Sequence, residues 1–287
     1  MESPVRNRLL LVAAGLLFST GGAAIKAASL TGWQVASFRS GVAALVLLAA
    51  LPNARRKWHW SMLPVAVAYA ATLILFVLAN RLTTSANAIF LQATAPLYVL
   101  LLGPFLLHEP IRRADLFYIL AVGAGLVLFF AGRDTVAVTA PDPPRGNLLA
   151  LASGVTYALM LAGLRWHGRK GGEDSGIATV ALGNLIAFAC ALPMALPLHA
   201  FGARDAAVIL YLGAAQVGLA YWCLTRAIRR VPAFEATTML QLEPAMNPVW
   251  TWLVHGERPT PWALAGGAVI VSATLVNTWW GRRRSTT

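Results

Sequence analysis

Glu243 is the residue whose position most strongly suggests chemistry. It lies about nine residues inside the apolar run 234–255, directly before Pro244, in the stretch MLQLEPAMNPVW. A carboxylate at that depth in a membrane-spanning helix costs several kcal/mol unless it is paired or hydrated, so a functional role is the first hypothesis. It could bind a substrate ammonium group, exchange protons, or pair with Arg39 or Lys26. A purely structural ion pair is the alternative.

Prolines at matching places form the second signal. A proline inside a helix lacks the N–H that would bond the carbonyl four residues earlier. Pro96 would therefore free the carbonyl of Gln92, Pro244 that of Leu240, and Pro248 that of Pro244. Interrupted helices at corresponding positions of two halves point to a central binding site in transporters. The alternative is that the prolines only shape helix packing.

Residues that flank these breaks, and aromatic residues inside the first, third, sixth and eighth apolar runs, are candidates for binding. The polar ones could hold the two charged ends of a zwitterion, or make ordinary hydrogen bonds between helices. The aromatic ones could line a cavity for an aromatic or apolar solute, although simple packing explains each of them equally well. The candidate binding residues are Phe18, Phe76, Gln92, Thr94, Tyr98, Tyr157, Tyr221, Trp222, Gln241 and Glu243, and the candidate helix breaks are Gly21, Gly22, Pro96, Pro244 and Pro248.

Other charged residues lie near the ends of the apolar runs. Glu257 neighbours Arg258, and Glu109 neighbours further basic residues, so we expect solvated pairs at the interface. Arg39 and Lys26 have long side chains that can reach the interface, and for them we expect structural pairing.

The composition predicts that membrane-spanning helices position these residues. Of 287 residues, 58% are hydrophobic and 12% charged, against about 25% charged in an ordinary soluble domain. A bilayer core takes about 20 apolar residues per helix, so ten spans leave no room for a soluble domain. The chain is expected to be an all-α membrane protein, a single domain over 1–287. The ten predicted spans cover about 8–28, 33–51, 61–80, 85–107, 114–131, 146–166, 176–198, 205–226, 234–255 and 261–280.

The formal net charge of +12 is best explained by topology. Sixteen of the 23 Lys and Arg residues fall on the side of the N-terminus, six on the opposite side, and Arg39 lies within a span. The positive-inside rule then predicts cytoplasmic termini. Because the basic residues form short clusters between apolar runs, no surface suited to nucleic acid is expected.

The two halves of the chain resemble one repeat. An offset of 148 aligns Pro96 with Pro244 and Glu109 with Glu257, together with three further pairs, and an offset of 139 aligns Gly15 with Gly154 and Phe18 with Tyr157. Five spans per half is an odd number, so the repeats, about 1–140 and 141–287, would be inverted. Ala95 stands where the offset would place a partner for Glu243.

These features resemble the drug/metabolite transporter superfamily, and within it the EamA-type bacterial ten-helix exporters. Ten spans, Arg39 in VASFRSG, and a proline followed thirteen residues later by a glutamate in spans four and nine carry the resemblance. Within that group, the sequence is most similar to the aromatic amino acid exporters. The resemblance implies a basket-like bundle with a central cavity that exports its substrate across the bacterial inner membrane by alternating access, but it does not fix the substrate. The candidate aromatic residues and the lack of basic residues at mid-depth favour aromatic or other apolar amino acids.

Other functions remain open. A multidrug, nucleoside or nucleotide-sugar carrier is possible within the same superfamily, although a phosphate-bearing substrate would require basic residues at mid-depth. An intramembrane enzyme is disfavoured because all five His residues lie at or near span ends, and no His and carboxylate cluster suggests a metal site. No cofactor is expected. The expected partners are a small-molecule substrate and the lipid bilayer, with the oligomeric state left open.

Overall fold

The secondary structure is helical, as expected for an all-α protein. A computed structural model describes residues 4–55, 58–106, 111, 113–132, 136–169, 175–227, 231, 236 and 239–285. In these ranges the one departure from helices, turns and loops is an isolated bridge between Ala137 and Ala140.

Fourteen α-helices are named below, in chain order. They are α1 Pro4–Ser19, α2 Gly21–Ala27, α3 Gly32–Ala50, α4 Pro52–Arg55, α5 Leu63–Leu82, α6 Ser85–Gln92, α7 Ala95–Leu106, α8 Arg113–Ala131, α9 Pro143–Arg169, α10 Ser175–Ala195, α11 Ala203–Leu210, α12 Ala220–Ala227, α13 Leu242–His255 and α14 Pro261–Ser285. A 3₁₀ turn, Trp60–Met62, precedes α5, and a π-helix, Tyr211–Leu219, joins α11 to α12.

Eight stretches are long and apolar enough to cross a membrane, and they correspond to eight of the ten predicted spans. The predicted fifth span appears as a shorter apolar helix, Asp115–Ala131. The predicted ninth span is described from residue 239 onwards, and most of its first part lies outside the described residues. The arrangement of ten helices in an inverted repeat therefore stays a prediction.

Several spans are interrupted. The first breaks at Thr20, one residue before the expected Gly21, and the fourth breaks at Ala93 and Thr94, just before Pro96. Pro96 thus occupies the first turn of α7, where its missing N–H needs no intrahelical acceptor.

The break expected at Pro248 is wrong. Helix α13 continues through Pro248 from Leu242 to His255. The fixed φ of proline is compatible with an α-helix, and a single missing hydrogen bond inside a helical bundle can be tolerated.

Close packing of glycines fixes α8 against α14. A Cβ built on Gly266 would lie 2.5 Å from the carbonyl oxygen of Gly125, and one built on Gly125 would lie 3.0 Å from the carbonyl oxygen of Gly266. Small residues allow this approach of two backbones, which is a common way to join helices in lipid. Elsewhere, α5 packs mainly on α9 and α10, and α3 packs on α10.

We predict that Gly266→Leu separates α8 from α14 and lowers the thermal unfolding temperature in detergent by several degrees. Inserting a side chain into such a contact costs about 1–3 kcal/mol. The matched control is Gly123→Leu on α8, because a Cβ there has no neighbour within 4 Å. Equal unfolding temperatures for the two variants would contradict this account of the contact.

Candidate functional site

The breaks in the fourth and ninth spans have the same backbone geometry. Ala93 closes α6 with φ −64° and ψ −5°, and Gln241 precedes α13 with φ −67° and ψ −6°. The two residues are 148 positions apart, which is the offset that aligns Pro96 with Pro244. Each break therefore places a turn residue three positions before its proline.

Each break packs against a glycine from the opposite half of the chain. A Cβ on Gly154 would lie 3.2 Å from the carbonyl oxygen of Leu91, and a Cβ on Gly15 would lie 3.0 Å from that of Met239. Gly15 and Gly154 are a pair at the offset of 139, and Leu91 and Met239 are a pair at 148. The contacts are thus reciprocal between the two halves.

An aromatic cluster lies close to these breaks. We define it as Phe18 on α1, Tyr69 on α5, Tyr157 on α9 and Tyr221 on α12. The ring of Tyr221 meets Phe18 edge-on at 5.1 Å and Tyr69 at 5.5 Å between centroids. Tyr157 packs in the same hydrophobic group as Tyr69 and Tyr221. Edge-to-face rings at these distances attract one another, so the cluster holds a defined shape.

Glu243 faces this cluster from the first turn of α13. Its carboxylate is within electrostatic range of Tyr157 and Tyr221, and the residue is half-buried. Among the described residues it has no hydrogen-bond or ion-pair partner. The exposed N–H groups and the dipole at a helix N-terminus favour a negative charge at this place. Glu243 therefore places a carboxylate without a partner among the described residues beside the aromatic cluster.

Arg39 also lies beside the cluster. Only 1% of it is exposed, so its guanidinium does not reach the interface. Its Nη2 donates to the carbonyl oxygen of Leu73 at 3.1 Å, while its buried Nε has no partner. The guanidinium is within electrostatic range of Tyr69 and Tyr221.

Hydroxyl and amide groups form a polar wall between the sixth span and its neighbours. Gln92 Nε2 donates to Ser153 Oγ at 2.6 Å, and the hydroxyl of Thr72 donates to that of Thr156 at 2.9 Å. Ser153 Oγ also donates to the carbonyl oxygen of Thr72 at 3.4 Å. Gln92, a candidate from the sequence, belongs to this polar group through its bond to Ser153.

Gly21 and Gly22 in the first span let other side chains pack close to its backbone, and this explains them better than bending of the helix does. A Cβ on Gly21 would lie 2.8 Å from Nε2 of Gln216 in the π-helix. A Cβ on Gly22 would lie 2.7 Å from Oδ1 of Asn247 and 2.8 Å from Oγ of Ser85. Any side chain at either position would displace these groups.

Some of the sequence candidates lie away from the cluster. Phe76 is buried in the largest apolar core with Ile25 and Phe90. Thr94 is fully buried, and its hydroxyl donates to the carbonyl oxygen of Leu91 at 2.6 Å, which satisfies a group freed by the break. Trp222 lies under the guanidinium of Arg226, 5.4 Å from ring centroid to Cζ.

Two candidates lie at the breaks themselves. Tyr98 is half-buried, and its ring approaches Gly154 beside the first break. Gln241 is the half-buried turn residue of the second. Glu109 lies outside the described residues.

Sequence reasoning missed Tyr69 and Asn184. Asn184 Nδ2 donates to the hydroxyl of Tyr69 at 3.1 Å, and both residues are buried. The available signal was a polar group at mid-depth of an apolar span, the criterion that singled out Glu243. No group of three potential metal ligands lies together within the ranges that the structure describes.

A separate cavity of about 470 Å³ lies between α8 and α14. Its walls are mostly apolar, and its lining residues Phe117 and Val276 are exposed on the outer face of the helices. None of the candidate binding residues lines this cavity.

The family model for the EamA-like transporter family matches residues 7–131 and 144–279. The chain belongs to the EamA-like transporter family. Together with its apolar helices, this makes the chain a multi-pass membrane protein of a transporter family.

Relatives and a solved structure agree with this membership. The threonine/homoserine exporter RhtA of Escherichia coli K12 is 29% identical over 216 residues, covering 74% of this chain and 68% of RhtA. The protein of the same name from Salmonella typhimurium LT2 is 29% identical over 217 residues, covering 73% and 68%. A crystal structure of a protein 20% identical matches with a TM-score of 0.64 over 98% of this chain and 99% of the other, which shows a shared fold.

We predict that this EamA-like chain admits water to Glu243 but not to Asn247, about one turn further along α13. After replacement of Cys190 and Cys223 by serine, Glu243→Cys should react with a small water-soluble thiol reagent at least about tenfold faster than Asn247→Cys. The physical reason is that Glu243 is half-buried while Asn247 is fully buried. Labelling rates measured by mass spectrometry in detergent check this, and equal rates would contradict a water-accessible site at Glu243.

Proposed function

We propose that this chain is a secondary transporter that exports small zwitterionic amino acids across the bacterial inner membrane by alternating access. The observation that carries the proposal is Glu243, an unpaired carboxylate held at a helix break beside the aromatic cluster. A substrate ammonium group would neutralise it, and the cluster would cover the apolar part of the substrate.

An inverted repeat of five spans in each half would supply the two conformations. The matched dihedral angles at Ala93 and Gln241 support it, as do the reciprocal contacts of Gly15 and Gly154. The family model also matches two consecutive segments, 7–131 and 144–279. In such a repeat, rocking of one half against the other exposes a midplane site to each side in turn.

The proposed orientation places both termini in the cytoplasm. It rests on the distribution of basic residues between the two sides of the predicted spans. In this orientation the ends of α2, α5 and α13 lie on the external side, and the substrate leaves there.

We propose threonine and homoserine as the first substrates to test. The relatives named above are threonine/homoserine exporters, and the hydroxyl and amide groups of Gln92, Ser153, Thr72 and Thr156 suit a small polar side chain. Aromatic amino acids are the second candidate, because four aromatic rings form the cluster.

The first test is uptake into proteoliposomes, run with and without a pH gradient. The panel contains threonine, homoserine, N-acetylthreonine, phenylalanine, tyrosine, a nucleoside and a cationic drug. We expect saturable uptake of amino acids and none of N-acetylthreonine, which lacks the ammonium group. Glu243→Gln keeps the shape but removes the charge, and should lower the initial rate at least about tenfold, a loss of about 1.4 kcal/mol.

Uptake of the cationic drug alone would contradict the proposed substrate class. Wild-type rates for Glu243→Gln, with an unchanged unfolding temperature, would contradict the role of Glu243.

Two adjacent aromatic residues offer a matched pair for the site wall. Tyr221→Ala removes a ring that contacts Phe18 and Tyr69, whereas Trp222→Ala removes one that lies by Arg226. We predict that Tyr221→Ala raises the KM for the transported amino acid about fivefold or more, because a wall of the site is lost, and that Trp222→Ala leaves KM within twofold. The measurement is KM from initial rates. A larger rise in KM for Trp222→Ala than for Tyr221→Ala would contradict the proposal that Tyr221 lines the site.

A further inference from the structure

A buried salt bridge closes one end of the bundle. Lys26 Nζ lies 2.9 Å from Glu257 Oε1, and the two side chains are 4% and 3% exposed. Lys26 is near the end of α2, and Glu257 follows α13, so the pair joins the two halves of the chain. We call this the Lys26 end. The expectation that Glu257 makes a solvated pair with its neighbour Arg258 is wrong.

The remaining polar atoms of the pair are also used. Lys26 Nζ donates to the carbonyl oxygen of Thr83 at 2.8 Å and to that of Thr139. Glu257 Oε2 accepts the N–H of Ser85 at 3.1 Å. A lysine ammonium has three donors, and all three have partners. The pair therefore draws four separate parts of the chain together without needing water.

A second tie fastens the loop that follows α2. Ser29 donates from its N–H and its hydroxyl to the carboxylate of Asp205, at 2.8 and 2.7 Å. Arg81 donates to the carbonyl oxygens of Ala28 at 3.1 Å and Leu30 at 2.7 Å. Asp205 belongs to the second half and Arg81 to the first, so this loop too is held by both halves.

The layer just inside the salt bridge is polar but unsatisfied. Both side-chain polar atoms of Asn247 and the hydroxyl of Ser85 are buried with no hydrogen-bond partner, and both approach Gly22. Buried polar groups in folded proteins are almost always bonded, so orphaned ones call for a reason. Entry of water at this end would satisfy them, which lowers the free energy of an open state relative to the closed one.

We propose that the Lys26–Glu257 pair is the gate through which the substrate leaves. This rests on the proposed function, in which the Lys26 end is external and access alternates. A buried ion pair gains little net stability over apolar packing, but both of its charges regain hydration when it separates. Such a pair can therefore specify the closed arrangement without making the hydrated, open arrangement inaccessible.

The test measures how fast Ser85→Cys reacts with a membrane-impermeant thiol reagent added outside right-side-out vesicles. The background carries Cys190→Ser and Cys223→Ser. We expect slow labelling with the gate intact and at least about tenfold faster labelling with Lys26→Met and Glu257→Gln combined, because the carbonyl oxygens of Thr83 and Thr139 then lose their donor and regain partners only when water enters. A reporter at the other end of the bundle, Thr225→Cys on α12, serves as the matched control and should not react faster from outside.

Labelling needs no substrate, so its failure is distinct from failure of the transport assay. Unchanged labelling of Ser85→Cys in a folded double variant overturns the gate. Equal acceleration at both reporters also overturns it, because that is general loosening. If the double variant does not purify in folded form, Glu257→Gln alone keeps the bonds from Lys26 to Thr83 and Thr139, and labelling at least about threefold faster than in its parent is then required.

Discussion

Lipid cannot hydrogen-bond a backbone, and most of this structure follows from that constraint. Every break in a spanning helix frees carbonyl and N–H groups that must find partners inside the protein. At the end of α1 the hydroxyls of Ser19 and Thr20 donate to the carbonyl oxygens of Leu16 and Leu17, both at 2.7 Å. The breaks are consequently placed in the interior, where they also bring polar atoms together at the aromatic cluster.

The same constraint determines what could be predicted from the sequence. Charge is so costly in an apolar helix that Glu243 stood out in the sequence, and the structure places it at a helix break within electrostatic range of Tyr157 and Tyr221. The helical class, the approximate span limits and the interruptions near Gly21 and Pro96 were also readable, because apolar length and backbone chemistry are local properties.

Contacts between residues far apart in the chain could not be predicted from the sequence. Lys26 and Glu257 are 231 positions apart, and the adjacent Arg258 suggested a local pair instead. Phe76 could not be separated from the cluster residues, since an aromatic side chain inside an apolar span looks the same whether it lines a site or fills a core. The helix break predicted at Pro248 was wrong for a different reason. Whether a proline breaks a helix depends on the residues packed around it, and the sequence does not identify them.

The π-helix Tyr211–Leu219 determines which aromatic residue of α12 faces inward. An α-helix turns by about 100° per residue, so adjacent Tyr221 and Trp222 point in different directions. The wider winding of Tyr211–Leu219 sets the rotational phase with which α12 begins. If the same nine residues were wound as an ordinary α-helix, Tyr221 would turn away from Phe18 and Tyr69, and a neighbouring residue would take its place. Which side chain of α12 lines the site therefore depends on the winding of the helical segment that precedes α12.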